Sequence, residues 1–128
     1  MPISIEQYKD QDLTVIVAAG DILDGEPFAA QKDFYDGEPT TKVLWDFRAV
    51  SGGQLSADEI RQIFDYAIVN MPKRQSGKTA FVAPEDHEFG LARMTTTIGE
   101  LRDVPWELRA FRNLADAVRW LGVQYPRE

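Results

Sequence analysis

The chain has no cysteine among its 128 residues and a single histidine. Without cysteine there is no disulfide, no thiol nucleophile and no cysteine metal site, which fits a reducing cytosol. Basic residues are scarce: Lys and Arg total 14 against 21 Asp and Glu, a net charge of −7. That balance argues against nucleic acid, whose phosphates call for clustered Lys and Arg. It also disfavours anionic membranes, which prefer polybasic patches. Long apolar runs are missing as well. Residues 15–19 and 43–45 are the longest, far too short to cross a bilayer. The opening MPISIEQYKD has neither the basic nor the apolar region of a secretory signal. The expectation is a cytoplasmic protein, with peripheral attachment to a membrane as the furthest departure. What is present is ordinary for a globular fold: 44% hydrophobic and 27% charged residues. The length is that of one domain, 1–128.

Hydrophobic periodicity divides the chain into alternating elements. Residues 3–8 alternate apolar and polar and read as a half-buried strand. Residues 13–19 (LTVIVAA) are almost wholly apolar and β-branched, the mark of a strand buried on both faces. The short polar turn between them implies a hairpin. Asp24 is placed to cap a short helix over 28–36, with Pro27 in its first turn and Gly37 stopping it. Phe34 and Tyr35 end that helix side by side, so at least one of them should be exposed and available for self-association. Residues 42–47 (KVLWDF) form the third strand, and 48–55 a loop. Ser56 and Glu59 have the spacing of a capping box. Ile60, Ile63, Phe64, Ala67, Ile68 and Met71 then draw one apolar stripe over three helical turns. Pro72 ends that helix, and residues 73–78 read as an exposed basic loop.

Residues 79–83 (TAFVA) are the fourth strand. The segment from Glu85 to Gly99 reads as a helix of poor intrinsic propensity, because Thr95, Thr96 and Thr97 are β-branched. Residues 106–111 form a fifth strand, with Glu107 and Arg109 on one face as an edge strand carries. Asn113 caps a last helix, lined by Leu114, Ala117, Val118 and Leu121 and stopped by Gly122. Trp45, Trp106 and Trp120 are expected as core anchors. The pattern is α/β, with a mostly parallel five-stranded sheet, an antiparallel N-terminal strand and four helices. Right-handed crossovers with sequential strand order would place the helices mainly on one face.

Three segments carry a family resemblance. They are Val43-Leu44-Trp45-Asp46-Phe47-Arg48, Phe89-Gly90-Leu91-Ala92-Arg93-Met94, and Phe111-Arg112 followed by Ala117 and Trp120-Leu121. In this order, with these elements between them, they resemble the SpoIIAA-like family of small bacterial STAS/SEC14-like domains, over nearly the whole chain. The resemblance implies a SpoIIAA-like (β/α) superhelix shared with anti-sigma-factor antagonists and SEC14-type lipid-binding domains. The antagonists place a phosphorylatable serine directly after the acid that ends the third strand. Here Asp46 is followed by Phe47, and the nearest serine is Ser51.

Motifs for chemistry are sparse. Ser76-Gly77-Lys78-Thr79 imitates the end of a P-loop but precedes a strand instead of a helix. His87 has no G-x-S-x-G elbow to serve, and with Asp86 and Glu88 it reads as solvated surface. Asp46, Arg48, Glu85, Arg93 and Arg112 fall at the carboxyl ends of strands, the rim where open α/β sheets bind ligands. There they form either ion pairs that hold loops or a cradle for a small anion. Phe89, Leu91, Met94 and Ile98 lie on the weak third helix, which reads either as plain core or as a lid over an apolar cavity.

No catalytic constellation, metal set or cofactor fingerprint is readable, so a non-enzymatic binding module without cofactor is expected. Its expected ligand is a hydrophobic small molecule or membrane lipid held near Phe89, Leu91, Arg93, Met94, Asp46, Arg48 and Arg112. The alternative is a STAS-type regulatory module with a protein partner, phospho-regulated near Ser51. A homodimer is expected from family habit and surplus aromatics.

Overall fold

The apolar residues 13–19 find cover on both sides because they enter the middle of a sheet. In the computed structural model, which describes residues 3–23, 25–53 and 56–126, these residues belong to β2 (Leu13–Ile22). It pairs antiparallel with β1 (Ile3–Tyr8) and parallel with β3 (Lys42–Gly53). β4 (Lys78–Val82) and β5 (Glu107–Phe111) continue the parallel series, giving the order β1-β2-β3-β4-β5. Four helices connect or close it among the described residues: α1 (Glu26–Asp36), α2 (Ala57–Val69), α3 (Asp86–Leu101) and α4 (Leu114–Leu121).

Side chains alternate across the strands and so build two cores. Ile16, Val43, Trp45 and Phe81 face α1, α2 and α3 through Phe34, Tyr35, Ala67 and Ala92. Leu13, Val15, Leu44, Ala80 and Val82 face α4 through Ala117 and Leu121. Three helices thus share one face, as sequential order and right-handed crossovers require. β1 and β5 are the edges. Trp45 and Trp106 are buried core anchors, whereas Trp120 is half-buried beside Phe111.

Several local expectations are corrected. The loop expected over 48–55 is strand as far as Gly53, because β3 keeps pairing with β2 out to Ile22 opposite Gly53. Register shifts between Val17 and Ala19 and between Gly20 and Asp21 absorb the extra β3 residues as bulges. Asp24, expected as a cap, lies outside the described residues, as do Gln54 and Leu55 of the expected loop. The N-cap of α1 is Gly25, at φ 91°. Ser56 does cap α2, accepting from the Glu59 N–H at 3.0 Å. The Glu59 carboxylate accepts from the N–H groups of Gly25 (2.8 Å) and Phe28 (3.3 Å). One buried acid therefore caps α1 from α2, where the helix dipole favours negative charge.

Phe34 and Tyr35 are both buried, at 5% and 3% exposure, so neither is available for self-association. They fit together because α1 ends against α2 and the residue-74 turn. Tyr35 meets Phe34 and Tyr66 edge to face, and the Arg74 guanidinium lies 5.9 Å from the Phe34 ring centroid.

Residues 73–78, expected as an exposed basic loop, contain the most buried cation among the described residues. Arg74 is 5% exposed. It donates to the carbonyls of Thr40 (3.1 Å), Thr41 (2.9 Å) and Lys78 (3.2 Å). Its guanidinium also stacks 4.5 Å from the Trp106 centroid. Burial pulls the Arg74 pKa down to about 10 against the pull of Tyr35 and Asp12. Burial likewise raises the Tyr35 phenol, with Arg74 opposing. The P-loop-like tetrapeptide is a turn into β4. Gly77 has φ 123°, and a Cβ there would sit 1.8 Å from the Thr41 carbonyl oxygen. The Lys78 ammonium is committed to the Trp120 carbonyl at 3.0 Å.

α3 is a continuous helix despite its threonines, whose hydroxyls donate back to carbonyls one turn earlier: Thr95 to Leu91, Thr96 and Thr97 to Arg93. Gly99, the last residue of the expected helical segment, lies inside α3 and is buried. A Cβ there would meet Leu108 Cδ1 at 2.1 Å and the Phe64 ring at 2.8 Å.

Two stability predictions follow from these contacts. Arg74→Met should lower the unfolding free energy by about 2 kcal/mol or more, because buried carbonyls lose their donor. Arg74→Lys should not restore it, since one ammonium cannot span three carbonyls as a planar fork does. A urea midpoint unchanged in Arg74→Met would refute this. Gly99→Ala should destabilise by about 1 kcal/mol net. The ~1 kcal/mol gained in helix propensity is outweighed by overpacking of about 1–3 kcal/mol. A stabilised Gly99→Ala protein, read in the same urea titration, would mean that α3 is not held this close to β5.

Candidate functional site

Between the α1–α2–α3 layer and the sheet lies an apolar cavity of about 130 Å³. The sheet contributes Trp45 and Phe81, α2 contributes Phe64, and α3 contributes Leu91, Ala92 and Thr95. Small residues on the buried side of α3, Ala92, Thr95 and Gly99, fill little volume. The space therefore opens under the helix that the sequence marks as weak. Phe34, Tyr35 and Trp106 line it toward the amino ends of the strands, where Arg74 holds Phe34 and Trp106 from behind. At the carboxyl ends it is bounded by exposed His87 and half-buried Glu88, Val50 and Gly52. That is the end of an α/β sheet where ligands bind.

Two buried polar atoms on residues that line it have no hydrogen-bond partner among the described residues. They are Gln31 Oε1 and Thr79 Oγ1. Gln31 is 6% exposed and Thr79 is 3% exposed. The Gln31 amide nitrogen donates to the Ile63 carbonyl at 2.7 Å, which fixes the side chain and leaves its oxygen as an acceptor. Sequence reading missed both residues. Glutamine in a short helix and threonine at the start of a strand carry no pattern of their own. Only the packing sets them apart.

The residues expected to act together are separated into three places. Leu91 alone of the expected ligand residues lines the cavity. Phe89 lies under the Arg112 guanidinium, 4.2 Å from its ring centroid. Arg112 itself pairs with Asp86 at 2.7 Å and donates to the Pro84 carbonyl. Arg93 and Met94 are exposed on the outer side of α3. Asp46 and Arg48 project from the opposite sheet face, the α4 side, where both interact electrostatically with Tyr125. Asp46 is 4% exposed and accepts from the Arg48 N–H at 3.0 Å. The Arg48 guanidinium closes the pair through Nε (3.0 Å) and Nη2 (2.9 Å). Both carboxylate oxygens are occupied, so this is an ion pair that fixes the β3 bulge. Of the three arginines considered for an anion cradle, Arg48 is paired with Asp46 and Arg112 with Asp86.

Ser51 sits on the outer stretch of β3, between Val50 and Gly52. It is exposed, and its hydroxyl donates to Asp21 Oδ1 at 3.3 Å. β4 pairs with β3 only as far as Asp46 opposite Val82. Beyond that point β2 and β3 run on as a two-stranded ribbon, with one edge of β3 unpaired by β4. Exposed Asp86 and His87 stand next to Glu88 at the start of α3. Among the described residues no group of three or more His, Asp or Glu side chains is gathered as metal ligands. No helix among them is long and apolar enough to cross a membrane.

No protein-family model matches the chain, and no curated protein matches it. Solved structures do. One is an uncharacterised DUF3478-family protein with a SpoIIAA-like fold from Shewanella loihica PV-4. It is 19% identical, with a TM-score of 0.57 over 93% of this chain and 91% of that one. The anti-sigma factor antagonist SpoIIAA in its unphosphorylated form is 15% identical, with a TM-score of 0.53 over 91% and 94%. An anti-sigma factor antagonist from Mycobacterium paratuberculosis is 17% identical, with a TM-score of 0.53 over 94% and 92%. At these identities the likeness is one of architecture, and it spans nearly the whole of each chain. The fold is SpoIIAA-like: a five-stranded sheet with one antiparallel pair, flanked by four helices.

Proposed function

We propose that this chain is a non-enzymatic, STAS-type regulatory module that works by binding a protein partner. The observation that carries this reading is the β2–β3 ribbon past Asp46. It presents main-chain groups on an edge that β4 leaves unpaired, and such edges recruit extended segments of other chains. Two of the structures that share the fold are anti-sigma factor antagonists, which supports the same reading. The acidic charge of −7 favours a basic partner. With Phe34 and Tyr35 buried, a homodimer has lost the aromatic surface that first suggested it.

Ser51 is the residue through which the ribbon would be regulated. A phosphate there would stand against the Asp21 carboxylate and push the two strands apart. Ser51→Asp should therefore speed amide hydrogen exchange several-fold over residues 19–22 and 49–52, whereas Ser51→Ala should change it little. A photo-crosslinking residue at Ala49 should trap one partner in cells, and one at Asp36, at the far end of α1, should not. Ser51→Asp should reduce trapping at position 49 about tenfold. Equal trapping at the two positions, or indifference to Ser51→Asp, would overturn the proposal.

A second reading, a hydrophobic ligand beneath α3, is favoured by the cavity itself. Its size narrows the ligand. At about 130 Å³ it is close to the ~150 Å³ cavity that admits benzene. It is well below the ~300 Å³ at which sites for drug-sized molecules begin. A whole membrane lipid would require α3 to swing away. One ring would not.

A further inference from the structure

We infer that the cavity under α3 receives one large apolar side chain, Phe or Leu, from an extended basic segment that pairs with the free edge of β3. This rests on the ribbon reading above and goes further by naming the pattern of the partner segment. Register, shape and charge coincide at one place.

β4 stops at Val82 opposite Asp46, and among the described residues β3 runs on to Gly53 paired only with β2. The Arg48 N–H is taken by the Asp46 carboxylate, so residues 49–53 are left for a new partner. That stretch suits a segment of about five residues, the usual length of a strand. Same-face side chains on adjacent strands stand about 5 Å apart. An inward side chain of the added segment therefore falls beside Val50 and Gly52, which is the mouth of the cavity. Val50 and Gly52 bound it from the sheet, and His87 and Glu88 from α3. Gly52 has no side chain to close it.

Behind the mouth lie about 130 Å³ walled by Phe47, Phe81 and Leu91. One ring or one branched aliphatic chain fills that space, by comparison with the ~150 Å³ that admits benzene. A polar or charged side chain would lose its hydration there. Charge selects the flanks of the segment. Glu85 and Glu88 stand at the start of α3, and Asp21 lies opposite Gly52. None of these three acids has a Lys or Arg ion-pair partner among the described residues, and Arg48 and Arg112 are closed by Asp46 and Asp86. Lys or Arg beside the anchor supplies the missing charge. A free apolar molecule would use the cavity alone, without the edge or the acids.

The full-length protein is used to select from a phage-displayed library of short random peptides. Enriched sequences should share one Phe or Leu with Lys or Arg beside it. A synthetic copy of the most enriched peptide should shift the amide resonances of Val50, Gly52 and Gly53. Replacing its anchor by Ala should weaken binding about tenfold or more, as for a buried hot spot. That change needs no variant of the protein. Ala92→Leu, which fills part of the cavity, should weaken the parent peptide about tenfold and leave the Ala-anchored peptide unaffected, with the melting temperature retained. Equal binding of the parent and Ala-anchored peptides, with the same amide shifts, would refute the anchor while leaving the ribbon reading intact. A shared pattern without Lys or Arg would refute the basic segment. Amide shifts confined to residues away from 49–53 would refute the ribbon reading as well. So would a failure to enrich any sequence, and a dimer in sedimentation equilibrium would then assign the edge to a second copy of this chain.

Discussion

A guanidinium held out of water anchors this fold. Arg74 gathers the carbonyls of Thr40, Thr41 and Lys78 and lies against Trp106 and Phe34. It thereby ties the segment before β3, the start of β4 and the approach to β5 to the end of α1. Three parallel strands arriving at the same end of a sheet leave connecting backbone there that no ladder pairs. A neutral side chain offers too few donors to satisfy it. Lysine offers a compact charge without the planar fork. The desolvation that pulls the Arg74 pKa down to about 10 is the cost of placing a cation there. The aromatic rings and carbonyl dipoles around it offset that cost.

The opposite end of the helical layer is fixed by an anion. Glu59 reaches from α2 to the N–H groups of Gly25 and Phe28, where α1 begins. Gln31, between the two ends, bonds the Ile63 carbonyl of α2. α1 and α2 are thus joined at two levels by polar side chains, Glu59 and Gln31, whereas α3 presents Ala92, Thr95 and Gly99 to the interior. The cavity is where it is because a rigid pair of helices and a rigid sheet face a third helix with little side-chain volume. Arg74 braces the wall at one end, and the loosely filled side is α3.

Much of this was legible in the sequence, and what was not shares a physical cause. Residues 3–8, the β2 run and the α2 stripe announced themselves through spacing, because burial of one or both faces is written locally. The order of elements, with an antiparallel first strand and parallel successors, followed from connection lengths. Arg74 sat in a run of polar residues and gave no sign of burial, since its partners Thr40 and Trp106 lie more than thirty positions away. Glu59 had the spacing of a capping box, yet its carboxylate bonds to a helix that begins more than thirty residues earlier. The outer part of β3 looked like a loop because Ala49, Ser51, Gly52 and Gly53 have no strand pattern. Its strand character is supplied by β2. Of the expected site residues only Leu91 faces the cavity. Strand alternation sends Asp46 and Arg48 to the other face of the sheet, a consequence of register that rim position alone does not reveal. Gln31 and Thr79 carry no motif at all.

The two binding readings need not compete, because they use different sides of one strand. Val50 and Gly52 line the cavity, while Ser51 between them is exposed and bonds Asp21 across the ribbon. On the second reading, a ligand under α3 would press on the inward residues of the segment whose outward residue and free edge would meet a partner. The bulges opposite Ala19 and Asp21 make this the part of the sheet with the least regular ladder. It has fewer hydrogen bonds to break if its twist changes. Deeper in the sheet, where β4 covers β3 on the far side, the same pressure would meet a fully paired ladder. Among the described residues, a ligand signal and a partner signal would meet at the carboxyl end of β3, where Val50, Ser51 and Gly52 lie.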